Sequence, residues 1–511
     1  MKTLEMRWGT PIFLGLSFLY LFLTLFLASG TPIFFENDHF LQMYDSVRML
    51  NGELLYKDFF QFTFPGTEVW YVILFSIFGQ KLWLLNATIL LLGLSLTWTI
   101  LGMSKRVMGG VYAYIAPTLF LFFGFRWFGM DGGHRLFSCL FASLAILVLL
   151  GGVSWKRLVS AGILAAMAAY FTQTRGLAVF AGIGLFLVWN YVTLRSGDRA
   201  KGFLVSSLAL GLAFSISLIA LLSYFLVTAG TANFLESTIF FGQSYASDPV
   251  NNSNLYFLFW KQLVTGDVDL ISLPVTLFYY LIVPPVYIIP PVYYLVKRPP
   301  NREFWSRIML LCFAGLMMFL ATTGLNAVRL YHVAIPGLVL IACWWSSLKL
   351  KGVFLAGTGT ATIFAIALCV WGQFRPYTEP LEMPTGTAVF QSETAAEKYR
   401  WVNDNTEPGD VVFESYRTVV NFPLSVKNPT SIPMLRSTNY TSSGQIEQVI
   451  VELRQNPPKY ILWNGMWNGK TMPRAVDDHL EPMFEYLTAN YQLVKKLTPL
   501  YEIDIEVWER K

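Results

Sequence analysis

The residues with the clearest potential for chemistry lie in a short acidic stretch, Glu36-Asn37-Asp38, just after an apolar run. A carboxylate can accept the proton of a hydroxyl group while that oxygen attacks an electrophilic carbon, which is general-base catalysis. Acids at the end of a membrane helix are costly unless they face water or a wet cavity. We therefore predict a catalytic base here, with Asp38 as the candidate and Glu36 as its helper; the residues alone leave open which of the two is the base.

Both acids also have a plain structural interpretation. Asp38 could cap the predicted helix 39–50, because an aspartate oxygen readily accepts the N–H groups of a first helical turn. Glu36 could be a surface acid. Four residues further along are candidate substrate-binding residues, with an interfacial histidine, a belt tyrosine and a surface ion pair as their simpler alternatives: His39, Tyr44, Lys57 and Asp58.

Further polar residues stand between later apolar runs. Arginine on the outer side of a membrane goes against the usual charge bias and invites an anionic partner, of which a lipid phosphate is the natural one. A Gly-Gly turn and arginines that reach ordinary headgroups are the simpler alternatives. The candidate substrate-binding residues in these loops are Asp131, His134, Arg135, Gln173, Arg175, Arg329, Tyr331 and His332.

The composition is that of a membrane protein. Of the 511 residues, 54% are hydrophobic and 14% are charged, whereas soluble proteins average about 25% charged residues. The net charge of +5 is modest and the basic residues cluster in short loops, so no nucleic-acid partner is expected. The four cysteines lie in apolar runs and form no metal-binding pattern. A divalent metal held by the first-loop acids and a histidine is a weak alternative, and no other cofactor is expected.

Eleven apolar runs are candidates for membrane spans, each of which needs roughly 20 residues. A further run, 67–79, is too short and is predicted to lie at the membrane surface. With that assignment every Lys/Arg cluster falls on one side, which predicts an N-terminus inside and the polar candidates and C-terminus outside. The predicted spans are approximately 11–30, 84–103, 111–128, 134–151, 158–173, 176–193, 203–228, 270–296, 305–322, 332–348 and 353–371.

Several polar residues form short motif-like blocks, each different from the others. An acid in the first outer loop is followed by Y-x3-R-x-L and a nearby glycine, and shorter blocks occur farther on. The residues are Asp38, Tyr44, Arg48, Leu50 and Gly52; Tyr56-Lys57-Asp58-Phe59; Pro65-Gly66; Asp131 with His134; Gln173 with Gly176; and Tyr331-His332 with Pro336. This pattern resembles the GT-C superfamily of polytopic glycosyltransferases that use polyprenyl-phosphate sugars. It is most similar to the bacterial Rgt-type (RgtA/B/C/D-like) branch, and more distantly to aminoarabinose transferases and protein O-mannosyltransferases.

The resemblance implies an α-helical polytopic GT-C fold and an inverting sugar transfer to an acceptor hydroxyl on the extracytoplasmic face of the plasma (inner) membrane. The lipid phosphate leaves as a stable anion, so the reaction needs one carboxylate base and cations around the phosphate. The expected partners are a polyprenyl-phosphate sugar donor, a lipid, glycan or protein acceptor, and membrane lipids. A lipid-linked oligosaccharide ligase or polymerase, and a lipid or solute transporter or flippase, are the alternatives.

The composition changes near residue 373. We predict a transmembrane domain, 1–372, with a first outer loop, 31–83, and a small extracytoplasmic α/β domain, 373–511, because helices alternate there with short apolar strands. The motif WNGMWNG, which begins at Trp463, could stack on sugar rings or could simply end a buried strand. We predict that this domain is an accessory one that helps to select the acceptor.

Overall fold

The computed structural model describes residues 2–511 except 195–198, 243–276, 323–326, 349–350, 375–376, 437–440, 466–479 and 498–504. All eleven predicted spans fall wholly or partly on helices. The helices before residue 374 are α1 (Lys2–Leu25), α2 (His39–Leu50), α3 (Gly66–Phe78), α4 (Trp83–Val107), α5 (Gly110–Gly129), α6 (His134–Leu149), α7 (Trp155–Phe171), α8 (Gln173–Trp189), α9 (Arg199–Thr228), α10 (Thr231–Leu235), α11 (Phe278–Lys297), α12 (Arg302–Leu320), α13 (Ala327–Val333), α14 (Ile335–Ser347) and α15 (Lys351–Gly372).

Seven helices of the described residues are long and apolar enough to cross a membrane: α4, α5, α8, α9, α11, α12 and α15. Four shorter apolar helices accompany them, and α3 is one of these. Its 13 residues give a length of about 20 Å, which is less than the roughly 30 Å of a bilayer's hydrocarbon core. The predicted polytopic α-helical architecture is confirmed.

The chain divides into two compact units, and neither is continuous in sequence. Unit 1 consists of Met1–Thr24, Thr88–Ser223 and Asn252–Phe374. Unit 2 consists of Leu25–Ala87, Tyr224–Asn251 and Arg375–Lys511. The first outer loop therefore belongs to the same compact unit as the C-terminal tail.

Unit 1 is a helical bundle in which glycines make close helix contacts. An added Cβ atom on Gly162 of α7 would lie 2.6 Å from the carbonyl oxygen of Leu210 on α9. One on Gly182 of α8 would lie 2.6 Å from the Cα atom of Ala314 on α12. Small residues let helix backbones approach closely in a membrane, where van der Waals packing drives helix association. A larger residue at either position would push these helices apart.

The tail of unit 2 has the α/β fold predicted for it. Its elements are β1 (Leu381–Met383), β2 (Gly386–Ala388), α16 (Glu393–Asn405), β3 (Val412–Glu414), α17 (Ser443–Gln455), β4 (Tyr460–Asn464), α18 (Glu481–Asn490), β5 (Tyr491–Lys496) and β6 (Ile505–Arg510). The larger sheet has the strand order β3-β4-β6-β5, with β3 and β4 parallel and the other neighbours antiparallel. Strands β1 and β2 pair separately as an antiparallel hairpin.

A hydrophobic core joins the sheet to its helices. It contains Phe413 and Ile461 from the strands, Leu453 from α17 and Leu487 from α18. Trp463 is also buried in this core, which confirms the interpretation that it ends a buried strand. Asn464 of the motif is buried as well, and its residues 466–469 lie outside the described residues.

The first outer loop is held to the tail by hydrogen bonds within unit 2. The backbone N–H of Asn428 donates to the hydroxyl of Tyr44 at 2.6 Å. Arg48 donates through Nη1 to the carbonyl of Thr430 at 3.0 Å, and through Nε and Nη2 to Glu53. Tyr44 and Arg48 are the tyrosine and arginine of the Y-x3-R-x-L block in the sequence. That block therefore binds the tail to the first outer loop.

Candidate functional site

Glu36 of unit 2 has three side-chain partners among the described residues. Its Oε2 atom lies 2.7 Å from Nζ of Lys398 and accepts the hydroxyl proton of Tyr399 at 2.7 Å. Both partners belong to α16 of the tail. The Glu36 side chain is only 15% exposed, so it is not the surface acid that the simpler interpretation allowed. Burial alone would raise the pKa of Glu36, but the positive charges of Lys398 and Arg417 outweigh it and lower that pKa below its usual range.

Asp38 lies beside Glu36 and is much more accessible, with 45% of its side chain exposed. Arg417 of the tail donates through Nη1 to Asp38 Oδ1 at 3.1 Å, and its Nη2 lies 3.6 Å from Glu36 Oε1. The side chain of Asp38 accepts none of the N–H groups at the start of α2, although Asp38 is the residue just before that helix. Capping therefore does not account for this carboxylate.

A third acid completes the ionic cluster, which consists of Glu36, Asp38, Lys398, Glu414 and Arg417. Lys398 bridges Glu36 and Glu414, with 2.9 Å between its Nζ atom and Glu414 Oε1. The other oxygen of Glu414 accepts the backbone N–H groups of Val419 and Val420. Three carboxylates face two cations in this cluster, so its net charge is negative and Asp38 is its most exposed acid.

The sequence analysis missed Glu414 and the two cations of this cluster. Lys398 lies on the same face of α16 as Val402, one turn later, and both are buried. A lysine on the apolar face of an amphipathic helix is the signal that could have singled it out. Arg417 follows β3 in an irregular segment, and nothing in its local sequence distinguishes it from a surface arginine.

Of the other first-loop candidates, Tyr44 bonds to the tail, and His39 and Asp58 make local contacts. His39 is fully buried, and its Nε2 atom lies 3.2 Å from the carbonyl oxygen of Phe35. Lys57 and Asp58 are both exposed. Asp58 accepts the N–H of Leu54 at 2.7 Å, which closes the turn between them. Only Glu36 and Asp38, among the first-loop candidates, lie in the ionic cluster.

Unit 1 brings together a second set of candidates around Asp131. This carboxylate is buried; it accepts the N–H of Gly133 at 2.9 Å and pairs with Arg135 Nη1 at 3.0 Å. Arg175 donates through Nη1 to the backbone carbonyl of Arg135 at 2.7 Å and to the hydroxyl of Ser138 at 2.8 Å. The predicted glycine turn is thus present and also positions an ion pair.

The arginines of unit 1 lie close enough to act on one another electrostatically. The positive charges of Arg135 and Arg329 both act on Arg175, and Asp131 is the acid that acts on it. We call Asp131, Arg135, Arg175 and Arg329 the arginine cluster. With three cations and one acid, it has a net positive charge.

The start of α6 and the start of α8 also favour an anion. Arg135 and Arg175 lie in the first turns of these helices, and neither first turn contains an acid. The two helix starts are linked, since His134 Nδ1 lies 2.8 Å from Thr172 Oγ1. The N-terminus of a helix has a partial positive charge and free N–H groups, so cations there are unfavourable unless an anion is near. Asp131 is that anion at the start of α6, and a phosphate would supply one at the start of α8.

The remaining unit 1 candidates differ in their surroundings. Gln173 is half-buried at the first position of α8. Tyr331 is fully buried, stacks on Phe120 and donates its hydroxyl proton to the carbonyl of that residue, which is a packing environment. His332 is buried, and its Nδ1 atom lies 2.6 Å from the carbonyl oxygen of Val328. Its Nε2 atom has no hydrogen-bond partner among the described residues, although the charges of Arg175 and Asp131 act on this ring.

The predicted metal alternative gains no support from these positions. Among the described residues, no group of three or more histidine, cysteine, aspartate or glutamate side chains is arranged to hold a metal ion. Glu36 and Asp38 are both paired with Arg417.

The fold has relatives among solved structures, although no family model and no curated protein matches the chain. ArnT from Cupriavidus metallidurans bound to undecaprenyl phosphate matches with a TM-score of 0.59 and 11% identity, over 98% of each chain. The Archaeoglobus fulgidus oligosaccharyltransferase tethered to an acceptor peptide has a TM-score of 0.53 and 12% identity. AglB from the same organism, in complex with an inhibitory peptide and a dolichol-phosphate, has a TM-score of 0.51 and 11% identity. Both of these matches cover 91% of this chain and 70% of the other.

Proposed function

Because the chain has the GT-C fold, we propose that it is a membrane glycosyltransferase. In this proposal a sugar passes from a polyprenyl-phosphate donor to an acceptor hydroxyl, with inversion at the transferred carbon, on the extracytoplasmic side of the plasma (inner) membrane. The ArnT structure with which the chain aligns over 98% of its length is bound to undecaprenyl phosphate. That length of agreement supports a lipid-phosphate donor for this chain.

One observation carries the assignment of the base. Asp38 is three times as exposed as Glu36, at 45% against 15%. Glu36 is occupied by Lys398, Tyr399 and Arg417. A base must reach the proton that it takes, so accessibility favours Asp38 and leaves Glu36 a supporting role. Of the two acids that the sequence left open, Asp38 is our proposed base.

The reaction balances with these groups. The acceptor oxygen forms a bond to the anomeric carbon as its proton passes to the Asp38 carboxylate. The bond between that carbon and the phosphate oxygen breaks, and its electron pair leaves with the polyprenyl phosphate. No proton has to be supplied to the leaving group, because a phosphate is a stable anion at neutral pH. General-base assistance of this kind contributes about 10²–10⁴-fold in rate.

Arg417 has a positioning role in this proposal. Its guanidinium contacts Asp38 through Nη1 and Glu36 through Nη2, and it thereby fixes the carboxylate of the base in one orientation. Lys398 neutralises Glu36 and Glu414 behind it. The tail therefore contributes to the catalytic loop itself, in addition to any accessory part in selecting the acceptor.

The arginine cluster of unit 1 is the proposed binding site for the donor phosphate. Its net positive charge and the free N–H groups at the start of α8 suit an anion with several oxygen acceptors. Arg175 is its central member, because its guanidinium also fixes the start of α6.

The experiment uses the full-length protein in nanodiscs with a panel of radiolabelled undecaprenyl-phosphate sugars and a membrane-glycan acceptor extract. We expect transfer from at least one donor. Asp38→Asn should lower that rate by about 10³-fold while donor binding remains. Glu407→Gln, which changes an exposed acid of the same unit, is the matched control and should transfer at the full rate. Undiminished transfer by a folded Asp38→Asn variant would contradict the assignment of the base.

A lipid-linked oligosaccharide ligase is the second candidate. The observation in its favour is the agreement with the archaeal oligosaccharyltransferase over 91% of this chain. Diphosphate-linked oligosaccharides in the same donor panel separate the two, because the first candidate accepts a monophosphate sugar and the second does not. A protein that binds these lipids and transfers none of their sugars would instead support a lipid transporter.

A further inference from the structure

Unit 2 contains a second acidic group, which takes no part in the ionic cluster around Glu36. Asp45 of α2 and Glu68 of α3 are fully buried and are joined by Gln61. The amide Nε2 atom of Gln61 donates to Asp45 Oδ2 at 3.1 Å and to Glu68 Oε1 at 3.1 Å. The orientation of this amide is fixed, because its Oε1 atom accepts the N–H groups of Phe62 and Thr63.

Five oxygen atoms around this group have no hydrogen-bond partner among the described residues. Each belongs to a side chain that is more than nine-tenths buried. Buried polar atoms are satisfied in the great majority of cases, so five in one short region need an explanation. They are Gln42 Oε1, Asp45 Oδ1, Thr63 Oγ1, Thr67 Oγ1 and Glu68 Oε2.

The backbone directs these oxygens toward the same region. Gln42 and Asp45 are one turn apart on α2 and therefore project from the same side of that helix. Thr67 and Glu68 stand in the first turn of α3. The hydroxyl of Ser46, next to Asp45, donates to the backbone carbonyl of Glu68 at 3.0 Å and holds the two helices together at this point.

Among the described residues, no lysine or arginine is paired with Asp45 or Glu68. Arg48 is the basic residue whose charge acts on Asp45, but its guanidinium is engaged by Glu53 and by the carbonyl of Thr430. Two carboxylates in a region closed to water are strongly unfavourable when charged and uncompensated. The pair therefore requires positive charge from outside the chain.

We propose that Asp45 and Glu68 bind one hard divalent cation, with Gln42, Thr63 and Thr67 contributing neutral oxygens directly or through bound water. Two carboxylates with amide, hydroxyl and water oxygens form the ligand set that Ca²⁺ and Mg²⁺ prefer. Protons on the two acids would also neutralise their charge, but they would supply only two O–H donors for the three amide and hydroxyl oxygens. A cation with its own water would satisfy all five oxygens and would brace α2 against α3 within the first outer loop.

The test measures metal on the full-length protein and does not depend on sugar transfer. Protein purified in detergent is dialysed against EDTA and then against buffer with 1 mM Ca²⁺ or 1 mM Mg²⁺. Bound metal is counted by inductively coupled plasma mass spectrometry, and the melting temperature is recorded with and without each ion. We expect about one ion per chain and a rise in Tm of about 2–4 °C.

Variants then assign the site. Asp45→Asn and Glu68→Gln should each lose the bound ion and the rise in Tm, whereas Glu407→Gln should keep both. If the wild-type protein holds no more metal than a protein-free control, and if neither ion changes its Tm, the proposal is wrong. Asparagine and glutamine mimic protonated acids, so variants at least as stable as the wild type would then identify the pair as a proton-holding site.

Discussion

The two charged clusters of the molecule are built in opposite ways. In the arginine cluster of unit 1, the central ion pair joins Asp131 to Arg135, four residues later on the same turn of chain. In the ionic cluster of unit 2, the pair between Asp38 and Arg417 spans 379 residues. A cluster whose members are close in the sequence can be recognised there as a polar block. A cluster closed by distant residues shows only part of its members, and here only the two first-loop acids, Glu36 and Asp38, were visible.

The clusters also carry opposite net charge, and this difference predicts a division of labour. Three arginines with one aspartate attract an anion, whereas three carboxylates with two cations leave a spare negative charge that can accept a proton. Substitutions in unit 1 should therefore change the affinity for the donor. Substitutions in unit 2 should change the rate of the chemical step or the stability of the fold.

The largest effect is expected at Lys398, whose ammonium group forms ion pairs with the largely buried carboxylates of Glu36 and Glu414. Lys398→Met leaves Glu36 and Glu414 without this cation, which should lower the free energy of unfolding by about 3–5 kcal/mol. Thermal unfolding of the purified protein measures it. Lys495→Met, which removes an exposed partner of Glu397, should stay within about 0.5 kcal/mol of the wild type. Equal stability of the two variants would mean that the ionic cluster does not hold the tail to the first loop.

At Arg417 the expected loss is in rate. Arg417→Gln releases the Asp38 carboxylate from its fixed orientation and should lower kcat by about 10–100-fold with little change in the KM for the donor. Added guanidinium should restore part of that rate, which a purely structural defect would not allow. Arg400→Gln, at a more exposed arginine of the same tail, is the matched control. Unchanged kcat in a folded Arg417→Gln variant would remove this residue from the mechanism.

The contrasting substitution in unit 1 is Arg175→Lys. Lysine keeps the charge but cannot reproduce the guanidinium geometry that joins Arg135 O, Ser138 Oγ and the proposed phosphate. We expect the Kd for undecaprenyl phosphate to rise about 10-fold, measured by titration in nanodiscs, while kcat at saturating donor stays within about threefold. If Arg175→Lys lowers kcat and Arg417→Gln weakens donor binding, the proposed division between the clusters is reversed.

The smallest effect concerns pH. The pKa of Glu36 is lowered in the folded protein, mainly because Lys398 and Arg417 outweigh its burial. Its contribution to stability is therefore present above its unfolded pKa of about 4.3 and is lost as pH falls through the lower folded pKa. Tm should drop more steeply below about pH 4.3 in the wild type than in Glu36→Gln. Parallel curves for the two proteins would show that Glu36 is not held ionised by its partners.

The sequence was sufficient for the architecture and for part of each site. Long apolar runs with basic residues between them predict membrane helices directly, and helix α2 begins at His39 and ends at Leu50 as its pattern indicates. Asp131 and Arg135 were found because a glycine turn lies between them. Lys398 and Arg417 were not found, because the packing of the tail on the first loop decides which cation pairs with Glu36. Gln61 was overlooked for a similar reason, because it acquires its role only where α2 meets α3.

The long separation between the acids and cations of unit 2 has a consequence for how the protein is made. Ribosomes add about 5–20 residues per second, so the 379 residues between Asp38 and Arg417 take about 20–75 s to synthesise. During that time the later predicted spans are synthesised, and Glu36 and Asp38 lack their positively charged partners, Lys398 and Arg417. The ionic cluster can close only after Arg417 has been made. A chain that stops before Lys398 would therefore expose two uncompensated acids at the first loop.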